Sequence, residues 1–159
     1  MRLTDFVLEE AIIRELRATS KPEVLAELVR AIIAAGCLKE QEADSVVTAL
    51  LEREEIGSTG IGNGLAIPHV KHHAIGRLVG AFGHSSAGVP YDALDGEPAR
   101  VFFLILWPVG VIGPHLEAIA QISKLLTHPD VLARLKMSST KEEVLALFDQ
   151  LDDSPGRAY

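Results

Sequence analysis

The sequence predicts a single α/β domain whose helices cover a sheet on both faces. Two observations carry this. Helical periodicity fills both ends of the chain, at 20–38, 39–55 and 113–151, while the middle reads as strands and turns. Within that middle, "ARVFFLILW" (99–107) is too uniformly apolar for a strand with one face in water, so it is expected to be a central strand covered on both sides. A length of 159 residues, 48% of them hydrophobic, suits one core.

Each element has its own warrant. "DFVLEEAIIREL" (5–16) is compatible with a short strand or a helical turn. "SKPEVLAELVRAIIAAGCL" begins with Ser20 as an N-cap, Pro22 in the first turn and Glu23 three residues after the cap, and Gly36 is a natural stop. Leu25, Leu28, Val29, Ile32 and Ile33 keep helical spacing along it. "KEQEADSVVTALLEREE" repeats the pattern with Ala43, Val46, Val47, Leu50 and Leu51, and Gly57 ends it. "RLVGAFGHSS" is a strand weakened by glycines, and "AGVPYDALDGEP" is turn chemistry throughout. The third helix starts at Gly113-Pro114, with Leu116, Ile119, Ile122, Ser123 and Leu126 expected on its inner side. Two further helices cover "HPDVLARLKM" and "SSTKEEVLALFDQL", the latter with Ser139 and Glu142 as a capping pair. The domain is expected to occupy residues 1–151, with 152–159 a frayed tail.

Charge and composition exclude several classes of function. A net charge of −7 argues against a sequence-independent grip on nucleic acid or anionic lipid. One cysteine, Cys37, cannot form a disulfide within the chain. The N-terminus carries acidic residues where a signal peptide needs an apolar core, and the run Val101–Trp107 is far below the roughly 20 residues of a membrane span. The expected setting is the cytoplasm.

The densest signal is "STGIGNGLAIPH" (58–69), in which Gly60, Gly62 and Gly64 alternate ahead of His69. A mononucleotide loop needs a Lys after its glycines, and a dinucleotide fingerprint needs a helix directly afterwards, which Pro68 forbids. Two readings remain: a turn-forming stretch with no ligand, or a nest of N–H groups at Gly60, Gly62, Asn63 and Gly64 that cradles an anion. A neutral His69 beside such a nest would be a nucleophile at a phosphate site. The residues from Ile61, Leu65 and Ile67 to Val70 are expected to make its surroundings apolar.

Other histidines admit other readings. His69, His72 and His73 form H-x-x-H-H, which is either a metal cluster or, for His72 and His73, solvated surface; no Cys lies nearby, and no metal is assigned. "GHSSA" lacks the helix that a serine-hydrolase elbow requires. His128 in "THPD" fits a turn or helix cap. His115 falls at the first turn of a helix, where free N–H groups and the positive dipole end welcome phosphate and disfavour an imidazolium. It is either a cap or a neutral N–H donor to a phosphate. Arg53, at the end of the second helix, either complements the helix dipole or reaches a phosphate with its planar fork.

Together these residues resemble the type-2 enzyme IIA domain of the bacterial phosphoenolpyruvate-dependent phosphotransferase system, in its fructose/mannitol and nitrogen-regulatory branch. The resemblance runs from "LTDFVLEEAI" to "EEVLALF" and is densest in "LEREEIGSTGIGNGLAIPH", "GVPYDALDGEP" and "FFLILWPVGVIGPHLEAIAQISKLL". It implies a mixed sheet of about five strands flanked by helices. It implies that His69 is phosphorylated, that His115 is its partner in the site, and that Arg53 is a basic residue there. It also implies a phosphorylated HPr-type donor, no cofactor, and either a IIB-domain cysteine or regulated proteins as the next partner. Two departures stand out. Val70 precedes Lys71 where the family often has a small residue and then a basic one, and Trp107 precedes Pro108 near the His115 loop. The absence of a second domain and of a membrane span leads to the expectation of a stand-alone nitrogen-type regulator; the alternative is a sugar-specific IIA subunit.

Overall fold

The computed structural model describes residues 1–155; the last four residues of the expected tail lie outside them. The element order is β1 (Val7–Ile13), α1 (Lys21–Ala34), α2 (Ala43–Ile56), β2 (Gly60–Gly62), β3 (Leu65–Ala66), β4 (His69–Lys71), β5 (Val79–Val89), β6 (Ala99–Trp107), α3 (Pro114–Ser123), α4 (Pro129–Met137) and α5 (Lys141–Asp152). The ambiguous 5–16 segment is therefore a strand after a single turn of 3₁₀ helix, Leu3–Asp5.

The strands form one mixed sheet in the order β1-β5-β6-β3-β2, with β4 also paired to β6. β5 and β6 are antiparallel; β1 runs parallel to β5, and β3 and β4 run parallel to β6. β6 is central, as its composition predicts. Phe102, Leu104 and Leu106 pack toward α1 and α2, while Val101, Phe103, Ile105 and Trp107 pack toward α3, α4 and α5. A period-2 strand with large side chains on both faces needs a helical layer on each side. β5 keeps glycine where it must approach its neighbour: a Cβ on Gly80 would stand 2.9 Å from the Leu104 carbonyl oxygen.

Most of the expected helix signals hold. Ser20 caps α1, its hydroxyl accepting from the Glu23 N–H, and its inner residues Val24, Leu25, Leu28, Val29 and Ile32 are buried. Three expectations need correction. The α5 cap is Thr140, whose hydroxyl accepts from the Glu143 N–H at 3.1 Å, so the cap lies one residue later than Ser139. α5 continues through Asp152, whose carboxylate accepts the Leu3 N–H at 3.0 Å, so residue 152 belongs to the folded body. The third helix buries Ala118 and Ile122, and Leu125 in the following 3₁₀ turn (Lys124–Thr127), leaving Leu116 and Leu126 exposed.

Candidate phosphoryl-transfer site

β3 and β4 lie along one edge of β6, interrupted at Ile67-Pro68, and the Ile105 N–H donates to the Pro68 carbonyl at 2.9 Å. This pairing sets His69 beside Ile105 at the carboxyl end of β6. The chain then leaves the sheet at Trp107, turns, and enters α3 through Gly113, whose φ of +114° suits a residue without a side chain. His115 follows in the first turn of that helix.

A cleft of about 540 Å³ opens at this edge. Arg53, His69, Val70, Lys71, Trp107 and His115 line it, with a wall from the β6–α3 loop and α3. The three residues expected to act together, His69, His115 and Arg53, are thus in one cleft. Lys71, exposed and lining the same cleft, adds a cation to the site beyond the three expected residues.

The His69 ring is oriented by its own chain. Nδ1 lies 2.7 Å from the Ile67 carbonyl oxygen. A carbonyl only accepts, so Nδ1 carries the proton and the lone pair sits on Nε2. Burial pushes His69 below the ordinary histidine range, helped by the charge of Arg53 and opposed by the Ile67 hydrogen bond and Glu54. The ring is therefore held in its neutral, nucleophilic form.

Arg53 closes its helix and also reaches the cleft. Its Nη1 donates to the Gly57 carbonyl at 2.8 Å, closing the end of α2, and its side chain also borders the cleft. Behind it, Glu54 is buried and tied to Lys21 at 3.2 Å, to the Tyr91 hydroxyl at 3.0 Å and to the Thr59 N–H at 3.1 Å, with a further hydrogen bond from the Thr59 hydroxyl. The Thr59 carbonyl in turn accepts the Ile67 N–H at 3.0 Å. A chain of contacts thus runs from Glu54 through Thr59 and Ile67 to the His69 ring.

The glycine stretch is not part of this cleft. Gly62, Asn63 and Gly64 have φ of +106°, +56° and +80° and form the turn between β2 and β3. The Asn63 N–H donates to the Asp95 carboxylate at 2.9 Å, and Lys136 donates to the Asn63 carbonyl at 2.6 Å. The Gly60 N–H is taken by the Ser58 hydroxyl at 3.0 Å. The expected anion nest at Gly60, Gly62, Asn63 and Gly64 is corrected to a turn: Asp95 already holds the Asn63 N–H, and the left-handed backbone explains Gly62 and Gly64. Of the apolar residues expected around His69, only Val70 lines the cleft; Leu65 and Ile67 are core. The exposed apolar rim comes instead from Val111, Ile112 and Leu116.

His72 is also corrected. It is buried, not solvated: its Nδ1 accepts the Ala74 N–H at 3.0 Å, so Nε2 donates to the Ser45 hydroxyl at 2.8 Å. His73 is exposed, stacked on His72, with Glu42 3.8 Å away. Glu42, His72 and His73 come within reach of one cation, but both His72 nitrogens already have partners. Ser45 and Glu42 lie too far back in the chain for spacing to have shown this.

An α/β sheet with a two-histidine, basic cleft at its edge has the parts that a phosphoryl-transfer domain needs. The family "Phosphoenolpyruvate-dependent sugar phosphotransferase system, EIIA 2" matches residues 5–151, and the chain belongs to it. Such domains are phosphotransferase components that accept and pass on phosphoryl groups. Among its relatives, a nitrogen regulatory protein of Bradyrhizobium diazoefficiens is 34% identical over 147 residues, covering 92% of this chain and 94% of the relative. A fructose-specific EIIABC component of Bacillus subtilis is 34% identical over 152 residues; the match covers 96% of this chain but only 24% of that longer protein. The crystal structure of the nitrogen regulatory protein IIA-Ntr from Neisseria meningitidis superposes with a TM-score of 0.81 at 29% identity, covering 91% and 97% of the two chains. Among the described residues no helix is long and apolar enough to cross a membrane.

Proposed function

We propose that the protein is a cytoplasmic phosphoryl carrier, phosphorylated on Nε2 of His69 by a phosphorylated HPr-type donor, and that it acts as a nitrogen-type regulatory enzyme IIA. The observation that carries this is a half-buried imidazole held neutral, its protonated nitrogen anchored on Ile67 and its lone pair left free, in a cleft with two cations and a second histidine.

The transfer is an in-line exchange of one N–P bond for another. The Nε2 lone pair of His69 attacks phosphorus as the N–P bond of the donor breaks, and that electron pair returns to the donor imidazole. The phosphoryl group on Nε2 carries roughly two negative charges by analogy with other phospho-residues, while the Nδ1 proton stays on the ring against Ile67. Arg53 and Lys71, which line the same cleft, would balance them while His115 donates an N–H, so the protein would contribute positioning and electrostatics.

The regulatory branch is supported by the near full-length relationship to nitrogen regulatory proteins and by the likeness to IIA-Ntr. The relationship to a fructose-specific component at equal identity favours a second reading, in which His69 hands the phosphoryl group to a cysteine on a IIB domain.

Incubation with labelled phosphoenolpyruvate, enzyme I and HPr tests the carrier role. Acid-labile label that is absent from His69→Ala is expected, and label retained by His69→Ala overturns it. Adding a IIB domain separates the branches, since rapid discharge to it favours transport.

A further inference from the structure

The two histidines of the cleft are held in different ways. His69 is fixed by a hydrogen bond from its own Nδ1. His115 has no such anchor: its Nδ1 is buried with no hydrogen-bond partner among the described residues. An orphaned lone pair is tolerated better than an orphaned N–H, which places the His115 proton on Nε2. What holds the ring is Trp107. The indole and imidazole planes are parallel within 2°, with centroids 4.1 Å apart.

Trp107 can serve as a fixed plate because it cannot easily move. It is the last residue of β6, paired with Lys71, and only 9% of it is exposed. Its carbonyl accepts the His72 N–H at 3.0 Å, and Pro108 follows it. The same indole lies 6.0 Å from the His69 ring at 24°, so it flanks both imidazoles.

We infer that Trp107 is a positioning residue for phosphoryl transfer, its indole face setting the plane in which His115 presents its Nε2–H to the phosphoryl group on His69. The second torsion of histidine is otherwise broad, and an unstacked His115 would sample many orientations. A group that develops charge only during transfer is stabilised best by a donor already in place. The inference rests on the proposed roles of His69 and His115.

Three forms decide it: wild type, Trp107→Phe, which keeps an aromatic face, and Trp107→Met, which keeps apolar bulk without one. Phosphorylation of His69 is followed over a range of phosphorylated HPr concentrations. Trp107→Met should lower kcat about three- to tenfold with KM nearly unchanged, and Trp107→Phe should restore most of it. Unchanged kcat in Trp107→Met, or a loss that Phe does not rescue, overturns the inference.

Proton NMR of the His115 ring gives an independent arm. The ring protons of wild type should be shifted upfield by the indole, and the ring should be more mobile in Trp107→Met than in Trp107→Phe. If wild type accepts no phosphoryl group, the functional reading falls and this arm alone decides the positioning. An unshifted ring in wild type, or equal mobility in both variants, then overturns it. The wild-type shift needs no substitution, so it stands even if a variant does not fold.

Discussion

The His69 Nδ1–H donates to the carbonyl of Ile67, two residues earlier in the chain, at 2.7 Å. One short backbone step across Pro68 therefore selects the tautomer and leaves the lone pair on Nε2. The phosphoryl group is expected on Nε2, and nitrogen-15 NMR of the phosphorylated protein distinguishes Nε2 from Nδ1 by the pattern of coupling to phosphorus. Phosphorylation at Nδ1 would mean that the Ile67 bond breaks during the reaction.

His115 should support transfer without carrying the group. Loss of one hydrogen bond to a charged group is worth about 1.5–3 kcal/mol, so His115→Ala should slow phosphorylation of His69 or onward transfer about tenfold to a hundredfold. Circular dichroism should stay native, because the ring makes no hydrogen bond at Nδ1 whose loss could disturb the fold. Unchanged rates in both directions would return His115 to a helix-cap role.

The pH dependence has a definite sign. Burial holds His69 below the ordinary histidine value of about 6.5, so its neutral, reactive form persists to lower pH than that of a free histidine. The acid limb of the phosphorylation rate should therefore have its midpoint below about 6.5 when the donor is kept fully phosphorylated. A midpoint above that value would contradict the burial argument. His72 bears on stability instead. Burial first, and then His73, pushes it down against the pull of Glu42. In the unfolded chain it protonates near 6.5, so its contribution is complete above that pH and is lost as pH falls through the lower folded value. Urea unfolding from pH 7.5 to pH 5 should show a smaller fall for His72→Asn than for wild type.

Much of this architecture can be read from the sequence because its signals are local. The Ser20 cap, the two-faced apolar run of β6 and the Gly113-Pro114 entry to α3 each depend on neighbours within a few residues. The gathering of His69, His115 and Arg53 is reached through the family resemblance together with each residue's own local setting. What escapes is non-local or a matter of phase. Asp95 reaches back to Asn63 across 32 residues and turns the expected nest into a turn. Ser45 reaches forward to His72 and buries it. α3 is too short for its apolar residues to fix their own phase: Ala118 and Ile122, with Leu125 beyond, carry the core contact, and this frees Leu116 and Ile119 to wall the cleft.

The Glu54 network should matter for stability and for rate. Glu54 is almost fully buried against the half-buried Lys21, and burial and the Glu54 charge both push the Tyr91 phenol strongly up. Glu54→Gln removes the buried counter-charge of Lys21, leaving it only the exposed Asp92 at 3.7 Å, and should cost about 3 kcal/mol in urea unfolding. Tyr91→Phe removes a single bond to a charged acceptor and should cost less, about 2 kcal/mol. Because Thr59 links Glu54 to Ile67, Glu54→Gln should also slow His69 phosphorylation under conditions where the variant is folded. The reverse order of the two stability costs would place the weight of the network on Tyr91.

Phosphorylation should act as a switch on protein partners. The rim beside His69 is apolar and exposed at Val111, Ile112 and Leu116, while Arg53 and Lys71 line the same cleft. A partner docked on that rim buries the His69 ring, and burying a doubly charged phosphoimidazole with it is costly unless every oxygen is matched. A regulated partner that recognises the unmodified form should therefore bind His69→Ala as it binds wild type, and bind His69→Asp more weakly. Exposed apolar side chains at the rim should carry the contact itself, so Ile112→Asp should weaken such a partner in all three backgrounds. Titration calorimetry with a partner recovered from the native host checks each variant. Equal affinity for wild type, His69→Ala and His69→Asp would remove the switch and leave relay of the phosphoryl group to a IIB domain as the better account of what the cleft is for.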